Sequence, residues 1–222
     1  MAAEAAVGFV RSGMTIGLGT GSTAIFATRE IATRIKRGEL TGITAIATSK
    51  AVHDEAVTLG IPMMNEDLPV RLDLTIDGAD EIDPALDVIK GGGGALLREK
   101  IVAQASARVI LVADDGKLSP VLGTRFALPL EVLEFGWRSQ ARFIMALGAI
   151  VTLRLAADGS PARTDQGNLV LDCRFGAIAD APALAIKLDA RAGVTAHGLF
   201  LGLATDVIVA GANGIRHLHR RP

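Results

Sequence analysis

Three short stretches of this chain hold residue types that do chemistry in combination. "VIKGGGGALLREK", Val88 to Lys100, sets four consecutive glycines between Lys90 and Glu99. Glycine gives up more backbone entropy on folding than any other residue, so four in a row imply a use for bare backbone. Successive amides of Gly91, Gly92 and Gly93 can form a nest for an anionic oxygen, and Lys90 adds a full positive charge. Glu99, in the helix that follows, can point back at the same place. Taken alone, Glu99 reads equally as a surface residue paired with Arg98 or Lys100. "DGADEID", Asp77 to Asp83, places Asp77 and Asp80 around a Gly78-Ala79 turn. Two carboxylates at a strand end can bind sugar hydroxyls, transfer protons or hold Mg²⁺. The plain alternative is a solvated acidic turn. Glu81 and Asp83 are expected to be solvated.

The third stretch, "GLGTGSTA", Gly17 to Ala24, stands between a strand and a helix. Thr20, Gly21, Ser22 and Thr23 there can cradle a phosphate, because helix N-terminal amides present a partial positive charge and the hydroxyls add donors. A tight turn with a Ser or Thr cap is the alternative. Gly19, Gly21 and Ala24 also match the dinucleotide pattern G-x-G-x-x-A. That pattern wants an acidic residue at the end of the second strand, and the chain has "ATSK". No Lys-Ser/Thr pair follows the last glycine, so it is not a P-loop. Together the stretches offer a phosphate cradle, carboxylates, a lysine and an oxyanion nest. That set suits proton transfer beside a carbonyl on a phosphorylated polyol. A carboxylate removes a C–H proton while lysine and amides stabilise the enediolate.

These loops need elements to hold them. "MTIGLG", "ITAIAT", "LDLTID" and "RVILVAD" read as strands. They alternate with helical "STAIFATREIATRIKRG", "KAVHDEAVTLG" and "ALLREKIVAQAS". Such alternation implies right-handed crossovers and a mostly parallel, Rossmann-like α/β sheet flanked by helices. Ligands of such sheets bind beyond the carboxyl ends of the strands, where all three loops fall. After Phe126 the rhythm becomes β-α-β-β-α-β: "ALPLEVL", "RSQARFIMALG", "AIVTLRL", "NLVLDCRF", "APALAIKLDAR" and "VTAHGLF". This suggests a smaller α+β, ferredoxin-like domain over 126–199, beside a catalytic domain of 1–125 plus 200–222. "TDVIVAG" is expected to return to the first sheet. "IRHLHRRP" reads as a tail, with His217 and His219 at a fraying terminus rather than a metal site.

Composition narrows the class. Of 222 residues, 23 are basic and 24 acidic, which gives no footprint for nucleic acid. Mean hydropathy is +0.39, yet the apolar run "FIMALGAIVTL" is too short to span a bilayer and no signal peptide is expected. Cys173 is the single cysteine. It alternates with Leu169, Leu171 and Phe175, so it is expected to be a buried strand residue in a reducing, cytoplasmic setting.

"GLGTGSTA", "DGADEID", "KGGGGALLREK", "ADDGK" and "HGLF" at 197–200, in this order and spacing, resemble ribose-5-phosphate isomerase of type A over nearly the whole chain. The resemblance implies interconversion of ribose 5-phosphate and ribulose 5-phosphate in the pentose phosphate pathway, with no metal or organic cofactor. It implies that Glu99 shuttles a proton between C1 and C2. Asp77 aids ring opening with Asp80 beside it, and Lys90 with the amides of Gly91 to Gly93 stabilises the enediolate. Thr20 to Thr23 and Lys117 contact the substrate, Lys117 at its phosphate. A homodimer is expected, the family commonly being oligomeric. One departure is the start, "MAAEAAV", where the family usually has a longer, lysine-bearing helix. This leaves either a start site further upstream or reliance on Lys117 and helix amides. Sugar-phosphate deaminases, phosphogluconolactonases and CoA transferases are rivals within the broader fold. None explains "DGADE" and "KGGGG" together. A non-catalytic sugar-phosphate sensor is the reading from another class.

Overall fold

Short runs of aliphatic and β-branched residues make the core of the chain. The computed structural model describes residues 1–65 and 71–220. They divide into two compact units, one of Met1–Ala79, Arg98–Lys117 and Gly202–Pro222, the other of Asp80–Leu97 and Leu118–Leu201.

In the first unit, helix α1 (Ala2–Val7) precedes strand β1 (Thr15–Leu18), helix α2 (Ala24–Lys36), strand β2 (Thr44–Ala47) and helix α3 (Lys50–Thr58). Strand β3 (Leu74–Gly78) follows. The sheet is completed by β6 (Val109–Asp114), β12 (Asp206–Gly211) and β13 (Gly214–His219). Its order is β13-β12-β6-β3-β1-β2, parallel except for the β12–β13 pair. "VILVA" in β6 is buried throughout, as a strand covered on both faces must be. Helix α2 turns Ala24, Ala27, Thr28, Ile31 and Ala32 inward, one stripe at helical spacing. Ser49 caps α3 by accepting from the Val52 amide at 3.2 Å. The stretch "IRHLHRRP" is no tail: Gly214 to His219 form β13, paired residue for residue with β12. Arg221 and Pro222 lie outside the described residues. The strand forms because Gly211 and Gly214 close a tight turn that lays residues 214–219 back along β12.

In the second unit, β7 (Leu128–Val132), α5 (Trp137–Ala146), β8 (Ile150–Leu153), β9 (Leu169–Arg174), α6 (Ala181–Asp189) and β10 (Val194–His197) follow the expected β-α-β-β-α-β order. They form an antiparallel sheet β10-β7-β9-β8. Leu128, Leu130 and Val132 of β7 pack with Leu169, Leu171 and Cys173 of β9, Ile144 of α5 and Leu188 of α6. Cys173 is fully buried, and burial pushes its thiol well above the usual range. "VTAHGLF" is two strands, not one. At Gly198 the amide donates to Pro129 O while the carbonyl accepts from the Lys90 amide, and the chain leaves β10 for β11 (Leu199–Phe200). Strands β4 (Glu81–Ile82) and β5 (Val88–Ile89) join it in a small sheet ordered β11-β5-β4. Helix α4 (Leu96–Gln104) runs across the boundary in sequence between the two units.

Candidate active site

In the first unit, the strand order reverses between β1 and β3, the switch point where open α/β sheets bind ligands. The loop after β1 and the loop after β3 both leave from there. Gly19 sits tightly against the second: a Cβ on it would lie 2.2 Å from Asp77 Oδ1 and 2.4 Å from Asp77 Cα. Gly78 faces the Thr20 carbonyl, its would-be Cβ 3.8 Å away. Gly78 and Ala79 are half-buried between Asp77 and Asp80. The Thr20 hydroxyl is fixed by Thr48 Oγ1 at 2.7 Å and by donation to Ser49 Oγ at 2.9 Å. Gly21 (φ 126°) and Ser22 are exposed, and Thr23 is the N-cap of α2 without a side-chain capping bond. No side chain caps this 13-residue helix, and its Ile25 and Phe26 amides donate to the carbonyls of Gly21 at 3.1 Å and Thr23 at 3.3 Å.

Asp77 is 2% exposed at the end of β3, where its Oδ1 accepts from the Gly78 amide at 2.7 Å. Glu99 is 4% exposed in the first turn of α4, not on a solvated helix face. A carboxylate held away from water at a helix start is placed to act as a general base. Lys117 is half-buried and ends a short 3-10 turn after β6, the strand beside β3. Thr20–Thr23, Asp77–Ala79 and Lys117 thus all follow the carboxyl ends of neighbouring parallel strands.

In the second unit, the glycine run is held on both sides of its backbone. Asp80 Oδ2 accepts from the Gly92 amide at 2.7 Å. Arg154 Nη1 donates to the carbonyls of Gly91 at 3.0 Å and Gly92 at 2.9 Å. Asp172 accepts from the rest of that guanidinium, Nε at 2.9 Å. Gly91 has φ 104°, and a Cβ there would meet Leu96 Cβ at 2.9 Å. Gly93 is exposed. Lys90 is 4% exposed, with Nζ 5.8 Å from the centre of the Phe200 ring. A buried ammonium over an aromatic face is a strong, poorly hydrated positive charge.

The expectation of a solvated Glu81 is wrong. Glu81 is wholly buried and receives bonds from the amides of Gly123 at 2.9 Å, Arg125 at 3.1 Å and Phe126 at 3.1 Å, and from Thr124 Oγ1 at 2.9 Å. Burial would raise its pKa, but bonds from Ser119, Phe126, Thr124 and Arg125 prevail and hold it below the ordinary glutamate value. Glu81 anchors the 123–126 segment that leads into β7. Asp83 is half-buried and caps its own turn through the amides of Ala85 and Asp87, both at 2.9 Å. Sequence reasoning also missed Arg154 and Asp172, which meet the glycine loop from distant positions. It missed the hydroxyls of Thr48 and Ser49 too, although a serine just ahead of helical "KAVHDEAV" is a helix-cap signal.

Residues 44–214 match the family described as ribose 5-phosphate isomerase A (phosphoriboisomerase A). A ribose-5-phosphate isomerase A of Chloroflexus aurantiacus is 60% identical over 218 residues, which cover 98% of this chain and 91% of that protein. One of Desulfatibacillum aliphaticivorans is 51% identical over 217 residues, covering 98% and 94%. Among solved structures, ribose 5-phosphate isomerase A of Methanocaldococcus jannaschii has a TM-score of 0.93 at 36% identity, over 98% of this chain and 96% of that one. A D-ribose-5-phosphate isomerase in complex with phospho-erythronic acid has a TM-score of 0.96 at 34% identity, over 99% and 96%. With the ordered motifs, the switch-point loops and near full-length identity in agreement, the chain belongs to the ribose 5-phosphate isomerase A family.

Proposed function

We propose that this chain interconverts D-ribose 5-phosphate and D-ribulose 5-phosphate through an enediolate, in the non-oxidative branch of the pentose phosphate pathway. The observation that carries the reading is Glu99, a buried carboxylate in the first turn of α4. It removes the C2 proton of the open-chain aldose and returns it to C1 of the enediolate, while the O2 hydroxyl proton passes to O1, so no proton is gained or lost overall. As the C1–O4 bond of the furanose breaks, Asp77 takes the proton of the anomeric hydroxyl and the departing ring oxygen takes up a proton in exchange. Lys90 and the amides of Gly91 and Gly93 stabilise the charge that develops on the carbonyl oxygen, while Asp80 holds the loop through the Gly92 amide. The amides at the start of α2, the hydroxyls of Ser22 and Thr23, and Lys117 receive the phosphate. The binding of phospho-erythronic acid by a similar structure supports this division, since a phosphorylated sugar acid is anionic at both ends.

The chemistry asks for acids, bases and fixed dipoles only, so the reading includes no metal or organic cofactor. It also includes a cytoplasmic setting and a homodimer. Supporting a dimer, Phe135 is 92%, Ile150 71% and Ile186 70% exposed, and covering such side chains is favourable. Among the described residues no helix is long and apolar enough to cross a membrane. Sedimentation of the purified chain at twice the protomer mass is the expected outcome for the assembly.

The decisive test is conversion of ribose 5-phosphate by the purified chain in excess chelator, beside Glu99→Gln. Turnover in the intact chain and a loss of about 10²–10⁴-fold in the variant, with substrate still bound, is expected. No conversion by the intact chain overturns the activity, and near-normal turnover in the variant overturns Glu99 as the base.

A further inference from the structure

The hairpin of β12 and β13 gathers three potential metal ligands at the amino ends of the parallel strands, the opposite end of the first unit's sheet from the loops after β1, β3 and β6. Asp206 opens β12 and lies in register with Ile110 near the start of β6, at the amino ends of the parallel strands. His217 and His219 are two apart on β13 and so share one face, and His219 is the direct cross-strand partner of Asp206. His217 Nε2 and His219 Nδ1 each lie 2.8 Å from the same oxygen, Asp206 Oδ1. The ligand atoms of the three residues all lie within 4.8 Å of one another.

Hydrogen bonding alone explains this cluster poorly. Arg108 already takes both carboxylate oxygens, Nε to Oδ2 and Nη2 to Oδ1, each at 2.8 Å. Two imidazole nitrogens then converge on Oδ1 as well, so that oxygen has three nitrogens at 2.8 Å for about two lone-pair positions. The imidazole rings are crowded too, with centroids 3.9 Å apart. One divalent ion in place of the two N–H protons removes the surplus, since both imidazoles then become neutral ligands.

We propose that Asp206, His217 and His219 form a binding site for a borderline divalent transition-metal ion such as Zn²⁺, with water completing the coordination. Two imidazoles and one carboxylate are a zinc-type donor set and a poor one for Mg²⁺. Bonds of about 2.0–2.1 Å need ligand atoms roughly 3.3 Å apart, so each imidazole has to retreat by about half an ångström. The ligands divide suitably for that. The Asp206 side chain is 4% exposed and anchored, whereas those of His217 and His219 are 28% and 62% exposed, which gives room to move and a path for the ion. Phe9 packs edge-on against His217, centroids 5.2 Å apart, and orients its ring. Arg108 beside the ion weakens binding relative to a site without it. The ion clasps β13 to β12 and takes no part in the isomerase reaction.

The test is calorimetric titration of the untagged chain with Zn²⁺ and with Mg²⁺, repeated on His217→Gln and His219→Gln. One Zn²⁺ per chain, no Mg²⁺ binding, and a dissociation constant at least about tenfold higher in each variant are expected. Zinc should raise the melting midpoint of the parent chain and not that of the double variant. Isomerase turnover should be the same in parent and variants. Because a variant can fail for other reasons, Co²⁺ is added to the parent chain alone, where visible absorption of a low-symmetry nitrogen and oxygen site is expected. Absence of saturable Zn²⁺ binding, absence of the cobalt bands, or equal affinity in the variants (which would place the ion at His53 or His197) overturns the proposal.

Discussion

Gly19 and Asp77 lie so close that no side chain fits between them: the smallest possible, a methyl, would overlap the carboxylate at 2.2 Å from Oδ1. Asp77 is itself buried, so it has nowhere to retreat. Gly19→Ala is therefore expected to displace Asp77 or the loop after β1. Overpacking of this kind costs about 1–3 kcal/mol, and turnover should fall by more than the stability loss implies. Thermal melts set beside kcat check this. A fully active Gly19→Ala variant would show that Asp77 can move without consequence.

Arg154 grips the carbonyls of Gly91 and Gly92 while Asp172 neutralises it. The expected role is to fix which way the peptide planes of the glycine run face. In Arg154→Met the loop keeps its residues and loses that constraint, so kcat should drop by about 10–100-fold with a smaller change in KM. Arg154→Lys should recover little, because an ammonium cannot span two carbonyls and a carboxylate in one plane. Hydrogen exchange at the Gly92 to Gly94 amides should quicken in both variants. Unchanged exchange would mean the loop is held by other contacts.

Glu81 and Glu131 should respond to acid with opposite signs. Bonded donors keep the folded pKa of Glu81 low. Its stabilisation is therefore present above the unfolded value, near 4.3, and is lost as pH falls through the folded value. Glu81→Gln should lower stability at pH 7 by at least ~2 kcal/mol, and the gap to the parent should close in acid. Chemical denaturation at several pH values measures it. A gap that stays constant would mean the charge of Glu81 contributes nothing.

Glu131 is buried in the middle of β7. Its Oε1 accepts from Thr164 at 2.9 Å and Asn168 at 2.8 Å, while Oε2 has no partner among the described residues. Burial pushes its pKa up, and the two bonds do not compensate. The ionised form is penalised in the fold, so the chain gains stability as pH drops through the raised folded value toward the unfolded one. The parent should thus improve relative to Glu131→Gln on mild acidification. The same denaturation series checks the sign, and a parent that weakens against the variant would refute it.

Regular structure was legible wherever a run was long enough to show a period. "VILVAD" and "NLVLDCRF" became β6 and β9, and helix α2 followed its apolar stripe. Strands β4 and β5 were not, because two residues carry no periodicity. Strand β13 was hidden by "RHLHRR", whose charge reads as solvated tail, and Ile215 and Leu218, three apart, show no period-two alternation to betray it. At the site, Glu99 and Asp77 were readable as types of residue at strand and helix ends. Their burial was not, since neighbours in space decide it. Glu81 shows the limit most clearly: within "DGADEID" it looks like its acidic companions, and only the amides of Gly123, Arg125 and Phe126 distinguish it.

The chain enters and leaves each unit more than once, and Arg108 closes on Asp206 across 98 positions. During synthesis, β6 therefore emerges with one edge bare and stays so until every residue of the second unit has been made. Its buried sequence, Val109 to Ala113, is in that interval an open template for another nascent strand. Crowded polysomes, rather than the finished protein, are where this fold is most exposed to mispairing. Substitutions that delay β12 should appear first as poor yield of soluble chain, with the activity of the surviving molecules intact.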